Sequence, residues 1–284
     1  MRIKRNNKIF WIKFSAAIIA VAAIAAGSLF LDSIYRMPVL TYHSIDYTTD
    51  RSDRLVVSPE IFEKQMKYLR DNGYKVVGLE KAVEYTKSGK RPPKKTVAIT
   101  IDDGYENNYK YAYPVLKKYH IPATIFVIVN FVGKDGFLDW AQIKEMSDSR
   151  VIDIESHTMS HPWLTGCDDS ALRYELVESR KILGNNIGKK IKFLCYPMGG
   201  YDERVKAAAR SAGYEAAFAT KPKDLRQSRD LYEIKRIRIS STANNLFVFF
   251  IKVSGYHSFF KVVKDDGGKE RDKLKVLWKK GSLS

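Results

Sequence analysis

The sequence predicts an α/β fold built on parallel strands, preceded by one N-terminal apolar helix. Three observations carry this. Short apolar runs recur, such as Thr96-Val97-Ala98-Ile99-Thr100-Ile101 and Ala123-Thr124-Ile125-Phe126-Val127-Ile128-Val129, with the continuous hydrophobicity of strands covered on both faces. Stretches of helical periodicity alternate with them, which implies βαβ units with right-handed crossovers. The run from Thr96 ends abruptly in Asp102-Asp103-Gly104, and residues just past strand C-termini line the active sites of such folds.

The 284 residues, 45% hydrophobic, suffice for one large domain plus appendages. Residues 1–13 are basic, through Arg2, Lys4, Arg5, Lys8 and Lys13; residues 14–31 carry no charge. Eighteen helical residues reach roughly 27 Å, near the thickness of a hydrocarbon core. The basic flank should stay in the cytoplasm, with Trp11 at the interface and everything after Leu31 outside. A cleaved signal peptide is the rival reading, because Ala22 to Gly27 offers small residues; the length of the run favours an uncleaved single-pass anchor. Cleavage would make the protein secreted. Residues 36–250 are expected to form the folded domain and 251–284 a basic tail.

The net charge of +17 suits an anionic setting, lipid or acidic wall polymer. No nucleic-acid motif accompanies the scattered charge, which argues against that partner. Cys167 and Cys195 are expected as unpaired thiols, with Cys195 buried. Nothing in the sequence speaks to an oligomer.

In chain order, Pro38 to His43 reads as a short strand and Asp46 to Ser58 as a polar loop. Ser58-Pro59-Glu60 starts a helix: Ser caps, Pro fits the first turn and Glu suits the dipole. Ile61, Phe62, Met66 and Leu69 form its apolar face, and Gly73 stops it. A strand at Lys75 to Gly78, a helix at Leu79 to Ser88 and a basic loop follow. Beyond Gly104 the spacing predicts a helix over Asn107 to Tyr119, kinked by Pro114. Then come the strand from Ala123, a helix at Trp140 to Met146, a strand at Val151 to Ile154, and a helix at Ser170 to Leu183. A strand at Ile191 to Cys195, a helix at Glu203 to Ala212, and strands at Tyr214 to Ala219 and Leu231 to Ile239 close the series. Asn244 to Phe260 is aromatic-rich and reads as a packed helix.

Two carboxylates as close as Asp102 and Asp103 cannot both ionise without a cation or a shared proton. His157 and His161 follow another apolar run, four residues apart, and converge if the segment is helical or tightly turned. With Asp103 they make a two-His, one-carboxylate set that leaves coordination positions open.

Ile99-Thr100-Ile101-Asp102-Asp103-Gly104 resembles the Thr-Phe-Asp-Asp-Gly motif of polysaccharide deacetylases with a NodB-type domain, a carbohydrate esterase family 4-like group. His157-Thr158-Met159-Ser160-His161 resembles their His-Ser/Thr-x-x-His motif. Phe193-Leu194-Cys195-Tyr196-Pro197-Met198-Gly199 is similar to their third motif. The resemblance covers about Pro38 to Ile239. It implies an irregular (β/α) barrel with fewer than eight complete units. It also implies a metal held by Asp103, His157 and His161, Asp102 as general base, and an oxyanion donor at the Tyr196 N–H. Such donors suit Zn2+, with Co2+, Ni2+ or Mn2+ also compatible.

The chain departs from that pattern in two ways. The third motif lacks the arginine that steadies the base, and the last strand, Ile237-Arg238-Ile239, lacks the usual acid histidine. His43, just past the first strand, is the expected replacement acid, a placement that resembles the poly-N-acetylglucosamine deacetylase branch. Arg236 or Arg238 is the expected replacement arginine. Tyr105, Trp140, Trp163 and Tyr196 stand near motif ends as candidate sugar-stacking residues, and Pro197, Arg236 and Arg238 are expected to contact substrate. The expected activity is removal of N-acetyl groups from N-acetylglucosamine-containing glycan (peptidoglycan, poly-N-acetylglucosamine or chitin-like) at the cell surface. An O-acetyl esterase of the same fold and a non-catalytic glycan-binding module are the alternatives.

Overall fold

In the computed structural model, which describes residues 2–47, 55–220 and 229–257, the chain separates into two units, Met1–Arg36 and Met37–Ser284. Of the expected tail, residues 258–284 lie outside the described residues. The first unit is a single helix, α1 (Arg2–Ile34), which takes in both the basic N-terminal residues and the apolar run. Within it the 22 residues Lys13–Ile34 contain an 18-residue stretch of mean hydropathy 2.3, long and apolar enough to cross a membrane. Ile18, Ile19, Val21, Ile24 and Leu29 are all exposed on it.

The second unit contains eleven short strands and seven helices among the described residues. The strands are β1 (Val39–Tyr42), β2 (Ser44–Ile45), β3 (Val56–Val57), β4 (Lys75–Val76), β5 (Thr96–Ile101), β6 (Ala123–Val127), β7 (Ile152–Ser156), β8 (Phe193–Cys195), β9 (Ala216–Ala219), β10 (Ile234–Lys235) and β11 (Ile237–Arg238). The helices are α2 (Pro59–Asp71), α3 (Leu79–Ser88), α4 (Tyr113–Tyr119), α5 (Trp140–Asp148), α6 (Asp169–Ile187), α7 (Glu203–Ser211) and α8 (Leu246–Val253). The main sheet runs β10-β9-β8-β7-β6-β5-β1-β11, with β4 beside β5, and its pairings are parallel.

The outermost strands of that order, β10 and β11, are separated in the chain by Arg236 alone. The sheet therefore bends round into a nearly closed, irregular barrel. Arg236 N–H donates to the Ala219 carbonyl and Ile239 N–H to the Thr41 carbonyl. This corrects the expectation of one strand over Leu231 to Ile239: a short turn, Leu231–Glu233, precedes two two-residue strands on different neighbours. Strands of a barrel are staggered along its axis, so the closing segment meets β9 first and β1 two residues later.

Other differences have local causes. Over Asn107 to Tyr119, a widened turn at Asn108–Ala112 precedes α4. Tyr113 N–H reaches back five residues to the Asn108 carbonyl, and Pro114 has no N–H to keep the helical register. Val56–Val57, inside the expected loop, forms a strand that pairs with Ser44–Ile45. Strand β7 runs two residues past Ile154. Helix α6 starts at an Asp168 cap and ends at Ile187, four residues past Leu183, capped by Gly188 at φ 68°. Helix α8 carries ordered structure beyond residue 250.

Alternate strand residues divide two apolar clusters, as a pleat requires. Val39, Ala98, Phe126, Phe193, Cys195, Phe218 and Ile234 pack inside the barrel with Leu79 and Ala82 of α3. Leu40, Val97, Ile99, Ile125, Ile152 and Leu194 face the helices, among them Phe62, Met66, Leu116 and Leu176.

Candidate active site

The inward phase of each strand, carried past its C-terminal end, delivers the polar residues. His43 lies four residues beyond Val39, Asp102 four beyond Ala98, Cys195 two beyond Phe193, and Arg236 two beyond Ile234. His157 follows Ser156, whose hydroxyl points outward to Ser179 of α6.

Arg236, with a fully buried side chain, holds both oxygens of Asp102: Nη1 donates to Oδ1 at 2.6 Å and Nη2 to Oδ2 at 2.7 Å. The same guanidinium donates to Thr100 Oγ1 and to Cys195 Sγ, and lies 5.4 Å from the Phe126 ring centre. Burial pushes the Asp102 carboxyl up, but the Arg236 charge and its hydrogen bonds outweigh that and hold it well below the usual carboxylate range. His43 Nε2 stands 3.8 Å from Asp102 Oδ2. Burial lowers the His43 pKa against the pull of Asp102, and its buried Nδ1 has no partner among the described residues.

Asp103 turns away from its neighbour because Asp103 and Gly104 are both left-handed, at φ 73° and 74°. Its Oδ1 is 3.4 Å from His157 Nε2 and 3.7 Å from His161 Nε2. The His157 Nδ1–H donates to the Cys195 carbonyl at 2.8 Å, which leaves the Nε2 lone pair for the Asp103 side. One ligand atom from each of Asp103, His157 and His161 lies within 4.8 Å of the others. A carboxylate and two imidazoles, one with its tautomer set by a carbonyl, fit a divalent ion with positions left open. Cys195 Sγ also groups with Asp102 and His157, but the guanidinium on Asp102 and Cys195 occupies the space a cation would need.

The segment from His157 to His161 is a turn, not a helix. Thr158 and His161 are left-handed, at φ 71° and 62°, which is strained for a β-branched residue. Three acceptors hold it. Ser156 Oγ accepts from Thr158 N–H, and Thr158 Oγ1 from His161 N–H. Buried Glu175 of α6 accepts from Met159 N–H, Ser160 N–H and Ser160 Oγ. The loop after β6 ties both catalytic turns: Asn130 N–H donates to the Met159 carbonyl and Leu138 N–H to the Gly104 carbonyl.

Several expected site residues serve elsewhere. The Tyr196 N–H donates to the Phe218 carbonyl within the sheet, and its hydroxyl to the Tyr232 carbonyl, so it is no oxyanion donor. Arg238 is exposed and registers opposite Thr41; of the two arginines only Arg236 reaches Asp102. Trp140 begins α5 and packs half-buried against the core. Tyr105 stacks on Phe137 at 5.1 Å. Pro197 is buried at the start of the turn Pro197–Gly199. Sequence reasoning misses Cys195 as a neighbour of the acids, although its phase with Phe193 is a usable signal. It also misses Glu175, which nothing in a helical pattern distinguishes.

Three residues able to share one ion, beside a second carboxylate held by an arginine, suit hydrolytic chemistry at a strand-end rim. The polysaccharide deacetylase family model matches residues 89–217. A Bacillus subtilis (strain 168) protein named as a polysaccharide deacetylase, YxkH, is 38% identical over 205 residues, 72% of each chain. A Staphylococcus aureus poly-beta-1,6-N-acetyl-D-glucosamine N-deacetylase is 32% identical over 200 residues, 66% of this chain and 69% of that one. Among solved structures, Streptococcus pyogenes deacetylase PplD in complex with acetate superposes with a TM-score of 0.71 at 26% identity, covering 77% of this chain and 98% of that one. The chain belongs to the polysaccharide deacetylase family.

Proposed function

We propose that this chain is a metal-dependent N-deacetylase acting on N-acetylglucosamine-containing glycan outside the cell, held to the membrane by α1. The carrying observation is the arrangement of Asp103, His157 and His161 around one point, with Asp102 beside them and gripped by Arg236. Asp103, His157 and His161 would hold the ion, Zn2+ by donor chemistry. When bound, a divalent ion polarises the acetyl carbonyl and acidifies water.

The chain's own groups handle the protons. Asp102 stays ionised at neutral pH and accepts a proton from the attacking water. His43, neutral at rest and 3.8 Å from Asp102 Oδ2, takes that proton on and delivers it to the departing amine. The Met198 N–H, in the loop after Tyr196, makes no hydrogen bond among the described residues, and Met198 sits at φ 54°. It replaces the Tyr196 N–H as the donor to the developing oxyanion.

The test is acetate release from matched N-acetylated and O-acetylated glycans, before and after chelation. Release from the N-acetylated set, lost on chelation and restored by Zn2+, is expected. Release only from O-acetyl groups would assign an esterase, and activity that survives chelation would sink the metal reading.

A further inference from the structure

Trp163 is an exception among the aromatic residues near the site. It lies two residues past His161, and it is 49% exposed although a large apolar ring gains by burial. It is nonetheless held in place. Its carbonyl accepts from the Gly166 N–H at the start of a short turn, Leu164–Gly166. One face of the indole lies against Gly200: a Cβ built there would stand 3.0 Å from Cδ2, Cε3 and Cζ3 of the ring. Gly200 has φ −84° and ψ 113°, a conformation any residue adopts. Its lack of a side chain answers to the indole, not to the backbone.

Gly200 belongs to the loop that also carries Met198, 47% exposed. The ring thus lies against the third motif loop while about half of its surface stays exposed. A fixed aromatic face with negative charge density suits the weakly positive C–H face of a pyranose. A ring that only filled space would not combine a glycine seat with half of its surface exposed.

We propose that Trp163 is the platform on which a sugar ring of the glycan stacks beside the sugar being deacetylated, so that the site takes an oligosaccharide in preference to a lone sugar. This rests on the deacetylase reading for what happens to the bound glycan, but not for the binding itself.

The test uses the full-length chain in detergent micelles, with calorimetric titration of N-acetylglucosamine monomer and of β-1,4- and β-1,6-linked pentamers. The wild type is expected to bind a pentamer more tightly than the monomer. Trp163→Ala should weaken pentamer binding about tenfold, and Trp163→Tyr should restore most of it. Gly200→Val should displace the ring and match Trp163→Ala, with the double variant no weaker than either. Equal pentamer affinity in wild type and Trp163→Ala, or no pentamer binding by the wild type, overturns the platform. Acetate release is scored separately: a wild type that binds pentamers through Trp163 but releases no acetate refutes the deacetylase reading and leaves the platform standing.

Discussion

Arg236 and Asp102 meet through two parallel N–H···O bonds of 2.6 and 2.7 Å, although they lie 134 residues apart in the chain. The arginine occupies the single residue between β10 and β11, so barrel closure and orientation of the carboxylate are one event. A buried pair of this kind gains from bidentate geometry and loses heavily if one partner is removed.

Arg236→Lys keeps the charge but not the planar fork. It should lower kcat at least about tenfold, a loss of ~1.4 kcal/mol of transition-state stabilisation, whereas Arg238→Ala should stay close to wild type. Steady-state acetate release from both variants checks this; equal losses would remove the special place of Arg236.

Asp102 is held low by Arg236 against burial, so weakening that pair should raise its pKa. The acid limb of the kcat/KM profile is therefore expected to move to higher pH in Arg236→Lys. A limb that stays put would mean that another group governs it.

Metal binding and proton transfer should separate by mutation. Asp102→Asn is expected to keep the metal content of the wild type while losing about 10²–10⁴ in rate, the usual worth of a general base. Asp103→Asn and His161→Ala should lose metal, measured by elemental analysis after dialysis. Metal loss in Asp102→Asn alone would exchange the two aspartate roles.

Glu175 touches none of the proposed ligands, yet it accepts three hydrogen bonds from the turn between the two histidines. Glu175→Gln keeps the size and gives up the charged acceptor. Metal affinity should fall about 10- to 100-fold, as for other residues that orient ligands, by competition with a chromogenic chelator. An unchanged affinity would make Glu175 a stability residue only.

Lys206 of α7 pairs with Asp230 at 2.7 Å and with Glu203, at the foot of the segment that leads to Arg236. Its partners raise the Lys206 pKa despite desolvation, so its contribution is full below the unfolded value and is lost as pH rises through the folded one. Lys206 lowers the Asp230 pKa, so that share is present above the unfolded value and is lost as pH falls. Lys206→Met should therefore lower Tm by about 2–4 °C across roughly pH 5–9. The gap should close below about pH 4; a pH-independent gap would mean lost packing instead of charge.

Most of the strand and helix series is legible because it depends on local signals. Ser58 caps α2 as expected, accepting from the Ile61 N–H. Glycine at φ 64° ends α3 after Ser88, and Pro114 interrupts the following helix. The last segment misleads because Leu231 to Ile239 carries an unbroken strand pattern, and its division at Arg236 depends on the stagger of neighbours far away in the chain. Tyr196 misleads for a similar reason: an N–H that a parallel neighbour will take looks free in one dimension.

Residue type and spacing alone determined which groups are chemically able to act: two acids at a strand end, two histidines four apart, and an apolar helix before the domain. Those properties belong to covalent structure and to short-range periodicity. The three-dimensional fold decided which arginine meets Asp102, that Cys195 and Glu175 frame the site, and that Trp163 rests on Gly200. Those contacts form only when strands, helices and loops pack in three dimensions, and no local pattern encodes such distances.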